Sequence, residues 1–203
     1  LYFLAFGVSD YARADLKLKY AAKDARDLEA SFKGMRASFA EVRTKVIVDG
    51  AVSAASIAAA KSFVSKAKEN DVFVLFIAGH GMHDNSADPT YYYLTAKSDP
   101  AALAKTAVPF EAIESLLQGI KPRQKLFLMD TCESGELDEI PAPTAAATSL
   151  RARNARGLRK VTHTSPRTYL LNRDRFLFND LSRRSGAVVF SSSRGGEYSF
   201  ETE

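Results

Sequence analysis

Two short phrases in this chain set a reactive side chain among glycines. Phe76-Ile-Ala-Gly79-His80-Gly81 carries an imidazole, and Leu128-Met-Asp130-Thr-Cys132-Glu-Ser-Gly135 carries the only thiol. A thiol attacks as its thiolate, so it needs a base or a positive field beside it. An imidazole titrates near neutrality and suits that task. Gly79 and Gly81 permit a tight turn and an uncovered backbone N–H. The N–H groups of Gly81 and Cys132 are candidates for the pair that binds the oxyanion of a tetrahedral intermediate. The chemistry implied is acyl transfer, with Cys132 as nucleophile and His80 as base. A lone cysteine is more often a small buried hydrophobe, and a lone loop histidine is more often plain surface. The combination outweighs both readings, because each phrase follows an apolar run.

Those runs, Val72 to Ile77 and Leu126 to Met129, read as buried parallel strands. The carboxyl ends of such strands share one edge of an open α/β sheet, and ligands bind there. Residues 80 and 132, 52 positions apart, can meet on that edge. The surrounding pattern supplies the rest of the sheet. Leu1 to Val8 reads as a first strand. Ala21, Ala25, Leu28 and Phe32 recur at helical spacing up to a stop at Gly34. Val42 to Val48 reads as a strand closed by Asp49-Gly50. Ile57, Ala60, Val64 and Ala67 mark a helix with Ser53 as its cap. Tyr91 to Leu94 adds a short strand after a polar loop, and Pro109 opens a helix through Ile113, Leu116 and Leu117 to about Gly119. A helix over 174–183 and a strand over 187–192 complete the pattern. Strands alternating with helices predict an α/β fold, a mostly parallel sheet with helices on both faces.

The chain has 203 residues, 46% of them apolar and 26% charged, as expected of one soluble globular domain. No apolar stretch approaches the ~20 residues of a membrane span. Leu1 to Val8 is too short for a signal peptide, and the absence of an initiator methionine leads us to expect a start further upstream. One cysteine makes no internal disulfide, and the expected compartment is the cytoplasm. The net charge of +4 comes from one segment. Residues 151–175 hold eight Arg or Lys against the single acid Asp174, and the remainder carries 20 basic and 23 acidic residues. From Glu136 to about Thr168 no apolar period is visible, and a long loop is expected there.

Taken together, several motifs resemble the caspase-like cysteine peptidases, closest to their metacaspase-like bacterial branch. They are the opening strand with Gly7-Val8-Ser9-Asp10-Tyr11, Tyr20-Ala-Ala-Lys-Asp24-Ala25, Gly79-His80-Gly81, Asp130-Thr-Cys132-Glu-Ser-Gly135 and Ser191-Ser192-Ser193-Arg194. The resemblance implies an α/β/α sandwich in a single peptidase domain over 1–203. It divides into a large-subunit-like part (1–135), a flexible basic inter-subunit loop (136–170) and the start of a small-subunit-like part (171–203). The family fold continues past the Ser191–Arg194 strand, so the chain is expected to be cut short at its C-terminus.

The resemblance also places Asp24 in the substrate pocket beside Asp130. Two carboxylates there would attract a guanidinium or ammonium group, so the expected substrates are peptides cleaved after Arg or Lys. The plainer alternative is that Asp24 caps a helix and Asp130 orients a strand end. Metacaspases often carry serine before the Gly-His-Gly, where this chain has Ala78. With that preference, Arg151, Arg153, Arg156, Arg159 and Lys160 become candidate self-cleavage positions; the competing readings are a nucleic-acid contact and a merely solvated loop. Only Tyr169 interleaves aromatically there, which argues against stacking on single strands.

No cofactor is needed for the chemistry. Calcium is considered as an activator by resemblance, near the acidic run Glu133, Glu136, Asp138 and Glu139, although no EF-hand spacing exists. His83 and Asp84 with a remote His163 make a poor zinc set, so no metal site is expected. The partners expected are protein or peptide substrates with a basic residue at the cut, and a regulatory protein or additional domain. Nucleic acid and membrane are not expected. Two other classes remain open: a catalytically silent caspase-like scaffold, and a nucleic-acid-responsive module using the basic loop.

Overall fold

The computed structural model of the protein describes residues 1–84, 86, 89–131, 150–152, 182, 185–192 and 200–202. In chain order the elements are β1 (Tyr2–Gly7), α1 (Ala21–Gly34), β2 (Arg43–Val48), α2 (Ala54–Ala60), β3 (Val72–Gly79), β4 (Gly81–His83), β5 (Tyr91–Tyr93), α3 (Leu103–Thr106), β6 (Val108–Pro109), α4 (Phe110–Leu117), β7 (Gln124–Thr131), β8 (Leu150–Ala152), β9 (Ala187–Ser191) and β10 (Phe200–Thr202). Five strands form one sheet in the order β2-β1-β3-β7-β9, and every neighbouring pair is parallel. A small antiparallel sheet, β4-β5-β6, stands beside it, and β8 pairs with β10.

Alternation along the strands sorts the apolar side chains onto two faces. Leu4, Phe6, Phe73, Leu75, Ile77, Phe127 and Met129 pack with Ile57 and Ala60 of α2 and with Ile113, Leu116 and Leu117 of α4. Phe3, Ala5, Val74, Phe76 and Ala78 pack on the opposite face with Ala21 and Ala25 of α1. The last turn of α1 is pinned by Phe32, whose ring lies 4.7 Å from that of Phe3. The expected mostly parallel sheet with helices on both faces is the fold observed.

The start of α1 is set by three groups on other elements. Gly7 ends β1 where the helix begins; a Cβ there would lie 2.4 Å from the Ala21 carbonyl oxygen, so only glycine lets the helix approach. Ser9 Oγ accepts the Ala22 N–H at 2.9 Å, satisfying a first-turn donor from outside the helix. Asp49 at the end of β2 accepts the N–H groups of Ser9 (2.8 Å) and Asp10 (2.9 Å) through one carboxylate oxygen.

Two expectations about elements are corrected. The helix expected to run through Ala67 ends as α-helix at Ala60 and continues as a 3-10 turn over Lys61–Val64. Ser62 and Ser65 donate their hydroxyls to the carbonyls of Ala59 and Ser62, both at 2.7 Å, in competition with the helical ladder. Ser53 does cap this helix, in a reciprocal pair of bonds with Ser56. The second correction concerns the stretch expected to lack regular structure from Glu136 to about Thr168. It contains β8, antiparallel to β10 with Arg151 opposite Glu201. Three residues are too few to reveal a period, and their partner lies some fifty positions later. The helix expected over 174–183 falls outside the described residues except for position 182, which is helical.

Candidate active site

β3 and β7 run side by side in parallel register, from Val72 against Gln124 to Gly79 against Thr131. His80 and Cys132 are each the next residue after that last pair. Cys132 lies outside the described residues, as do Arg153, Arg156, Arg159, Lys160 and the acidic run at 133–139. Arg151 lies in β8.

His80 is only 4% exposed, so its polar atoms need protein partners. Its Nε2 is 2.8 Å from the Leu16 carbonyl oxygen. A carbonyl only accepts, so Nε2 carries the hydrogen and Nδ1 is left as the basic nitrogen of the neutral ring. The His80 backbone N–H donates to the Tyr11 hydroxyl at 2.9 Å, and the Tyr11 ring packs against the imidazole with centroids 5.0 Å apart. Gly79 bends the chain into this position with φ +143°, and a Cβ on it would sit 2.8 Å from the Tyr11 hydroxyl. Gly81 is buried at the start of β4. The turn that presents the Leu16 carbonyl, Ala14–Leu16, is flanked by an ion pair in which Arg13 Nη2 meets Asp15 Oδ2 at 2.6 Å. That bond holds the Asp15 carboxyl below its ordinary range, and the nearby His80 contributes in the same direction.

Asp24 and Asp130 come to the same face and the same edge. Asp130 follows Leu126 and Leu128 on the α1 side of β7 and is half-buried opposite Ala78. Asp24, also half-buried, lies in the first turn of α1 between the sheet-facing Ala21 and Ala25. The residues between them are small: Gly7 and Ala78 are neighbours in register. Among the described residues no group of three or more His, Cys, Asp or Glu side chains could hold a metal ion. No helix among them is long and apolar enough to cross a membrane.

Sequence reasoning missed the groups that hold His80. Tyr11 is 69 positions away, and the Leu16 carbonyl is backbone with no residue signature. Thr131, whose hydroxyl is 2.6 Å from that of Tyr91, was passed over as the residue before the cysteine. The three consecutive tyrosines at 91–93 were the one available signal, since phenols buried in a strand must find partners.

A five-stranded parallel sheet with helices on both faces places the chain among the open α/β folds. The particular family follows: the model of the caspase domain, a peptidase family, matches residues 2–203. The chain belongs to that family and is, at family level, a caspase-like cysteine peptidase. No curated protein sequence matches it. Among solved structures, protein GSU0716 from Geobacter sulfurreducens shares the fold at 16% identity with a TM-score of 0.56, over 97% of this chain and 74% of that one.

Proposed function

We propose that this chain is an endopeptidase that cuts after Arg or Lys through an acyl-enzyme at Cys132. The observation that supports the reading is the pairing of Gly79 with Thr131 at the ends of β3 and β7, since His80 follows Gly79 and Cys132 follows Thr131 in the chain. His80 Nδ1 takes the thiol proton and the thiolate attacks the scissile carbonyl carbon. The oxyanion is bound by the N–H groups of Gly81 and Cys132. Nδ1–H then protonates the leaving amine, and water, giving its proton to Nδ1, releases the acid product from the thioester. The Leu16 carbonyl accepts from Nε2 throughout, so it holds the ring in the reactive tautomer and stabilises the imidazolium as it forms.

Asp24 and Asp130 select the side chain before the cut. Both are half-buried, Asp24 in the first turn of α1 and Asp130 on the α1 side of β7, and paired carboxylates attract a side chain carrying a cation. Self-processing follows from the same preference. Arg153, Arg156, Arg159 and Lys160 are the sites favoured, because cleavage after Arg151 requires β8 to leave its pairing with β10.

Fluorogenic peptides ending in Arg, Lys or Asp, assayed with and without calcium, test the reading against Cys132→Ala and His80→Ala. Turnover of Arg and Lys peptides, lowered at least about a thousandfold in both variants, is the expected result. Turnover of Asp peptides instead overturns the pocket assignment. Full activity of Cys132→Ala overturns the nucleophile.

A further inference from the structure

The strand β5 is bonded to both halves of the catalytic edge. Its backbone pairs with β4, Gly81 against Tyr93 and His83 against Tyr91, and the Leu94 N–H donates to the His80 carbonyl at 2.9 Å. Its side chains reach the main sheet. The Tyr93 hydroxyl donates to the Ala78 carbonyl at 2.8 Å, two residues before His80. The Tyr91 hydroxyl lies 2.6 Å from Thr131 Oγ1, both buried, and Thr131 immediately precedes Cys132. The Tyr91 ring is itself held edge-on by Phe110 at 6.0 Å and His83 at 5.2 Å, so its hydroxyl sits at the end of a braced lever.

A phenylalanine–valine pair of like shape would fill this space equally well. A buried hydroxyl pair adds little net stability but fixes direction and distance, since both groups gave up water on burial and breaking their bond would leave them unsatisfied. We propose that the Tyr91–Thr131 hydroxyl pair is a positioning contact for the thiol, fixing the chain end that leads into Cys132 against the strand that holds the His80 loop. The inference rests on reading Cys132 and His80 as nucleophile and base. Tyr91 and Thr131 are positioning residues; neither takes part in bond making.

The test compares Tyr91→Phe, Thr131→Val and the double variant of the full chain. Cys132 is the only thiol, so iodoacetamide alkylation rates across pH report on it without any substrate. Each single variant is expected to lower kcat on an Arg peptide about tenfold with KM within about twofold. Each is expected to displace the alkylation curve, and the double variant to do no more than the worse single. Ile113→Val on the same core face controls for stability: it lowers Tm but leaves kcat and the alkylation curve in place. Unchanged kcat and alkylation in both variants, losses that multiply in the double, or the same displacement in Ile113→Val would each overturn the proposal. If Cys132→Ala turns peptide over like wild type, the functional reading fails, while the alkylation curves still decide the role of the hydroxyl pair.

Discussion

The two faces of the central sheet are built from different materials at the catalytic edge. Toward α2 and α4 the edge is crowded with phenols. Tyr11, Tyr91 and Tyr93 are buried, and each hydroxyl bonds to a group within two residues of His80 or Cys132. Burial pushes the Tyr93 phenol well above its ordinary range, so it remains a donor to Ala78 at any working pH. Toward α1 the edge is lined by Gly7, Ala78, Ala21 and Ala22 with two half-buried carboxylates. A face filled with rigid, bonded rings is suited to holding reacting groups still. A face carrying two half-buried carboxylates is suited to attracting a cationic side chain. On the proposed function, the phenol-rich side would hold the reacting groups and the acidic side would select the substrate side chain.

Neutralising the acidic side is the sharpest way to test that division. Asp130→Asn and Asp24→Asn are each expected to lower kcat/KM on Arg peptides about 100-fold, the cost of removing one partner from a desolvated charge pair. The rate of Cys132 alkylation should stay within about twofold of wild type. A collapse of alkylation together with turnover would show that the carboxylates serve the nucleophile, and the division between faces would fail.

Crowding the phenol side should do the reverse. Gly79→Ala forces a side chain into a backbone conformation at φ +143° and against the Tyr11 hydroxyl. The expected strain is about 1–3 kcal/mol, read as a lower Tm. Because the bend carries His80, kcat should fall about tenfold while the preference for Arg over Asp peptides is kept. A changed preference with unchanged kcat would contradict the assignment.

The difference between the faces also explains what was legible in the sequence. The sheet was readable because its strands are long apolar runs and α1 has a clean helical period from Ala21 to Phe32. Asp24 and Asp130 were singled out through the resemblance, and both are half-buried, Asp24 in the first turn of α1 and Asp130 on the α1 side of β7. The phenol side was not readable. Each of its contacts joins residues 15 to 69 positions apart, and β4 is three residues, Gly-Met-His, with no period to detect. The loop between β4 and β5 was read only as polar. There Asp84 Oδ1 accepts the N–H groups of Ser86 and Thr90, both at 3.2 Å, and the Asp84 N–H donates to the Thr90 carbonyl. This folds the chain back so that β5 returns alongside β4. Turn chemistry of this kind is local, but its consequence, placing Tyr91 against Thr131, is tertiary.

The smallest effect expected lies at the far end of α1, where the acidic face is anchored to the edge of the sheet. Glu29 accepts the Thr44 hydroxyl of β2 at 2.6 Å and pairs with Lys33 at 2.9 Å. The bond from Thr44, then Lys33, holds the carboxyl below its ordinary range despite an opposing cost of burial. A carboxyl with a depressed folded-state pKa stabilises the fold above its unfolded pKa, and that stabilisation is lost as pH falls through the folded value. Glu29→Gln should therefore lower stability near neutrality by less than about 1 kcal/mol, since the pair is largely solvent-screened. The gap between the two proteins, measured by urea unfolding at successive pH values, should close on the acid side of the carboxylate range. Peptide turnover and selectivity should be unaffected. If the substitution instead weakens the Arg preference, the placement of Asp24 depends on the whole helix being anchored, and the selectivity of that face extends well beyond its two acids.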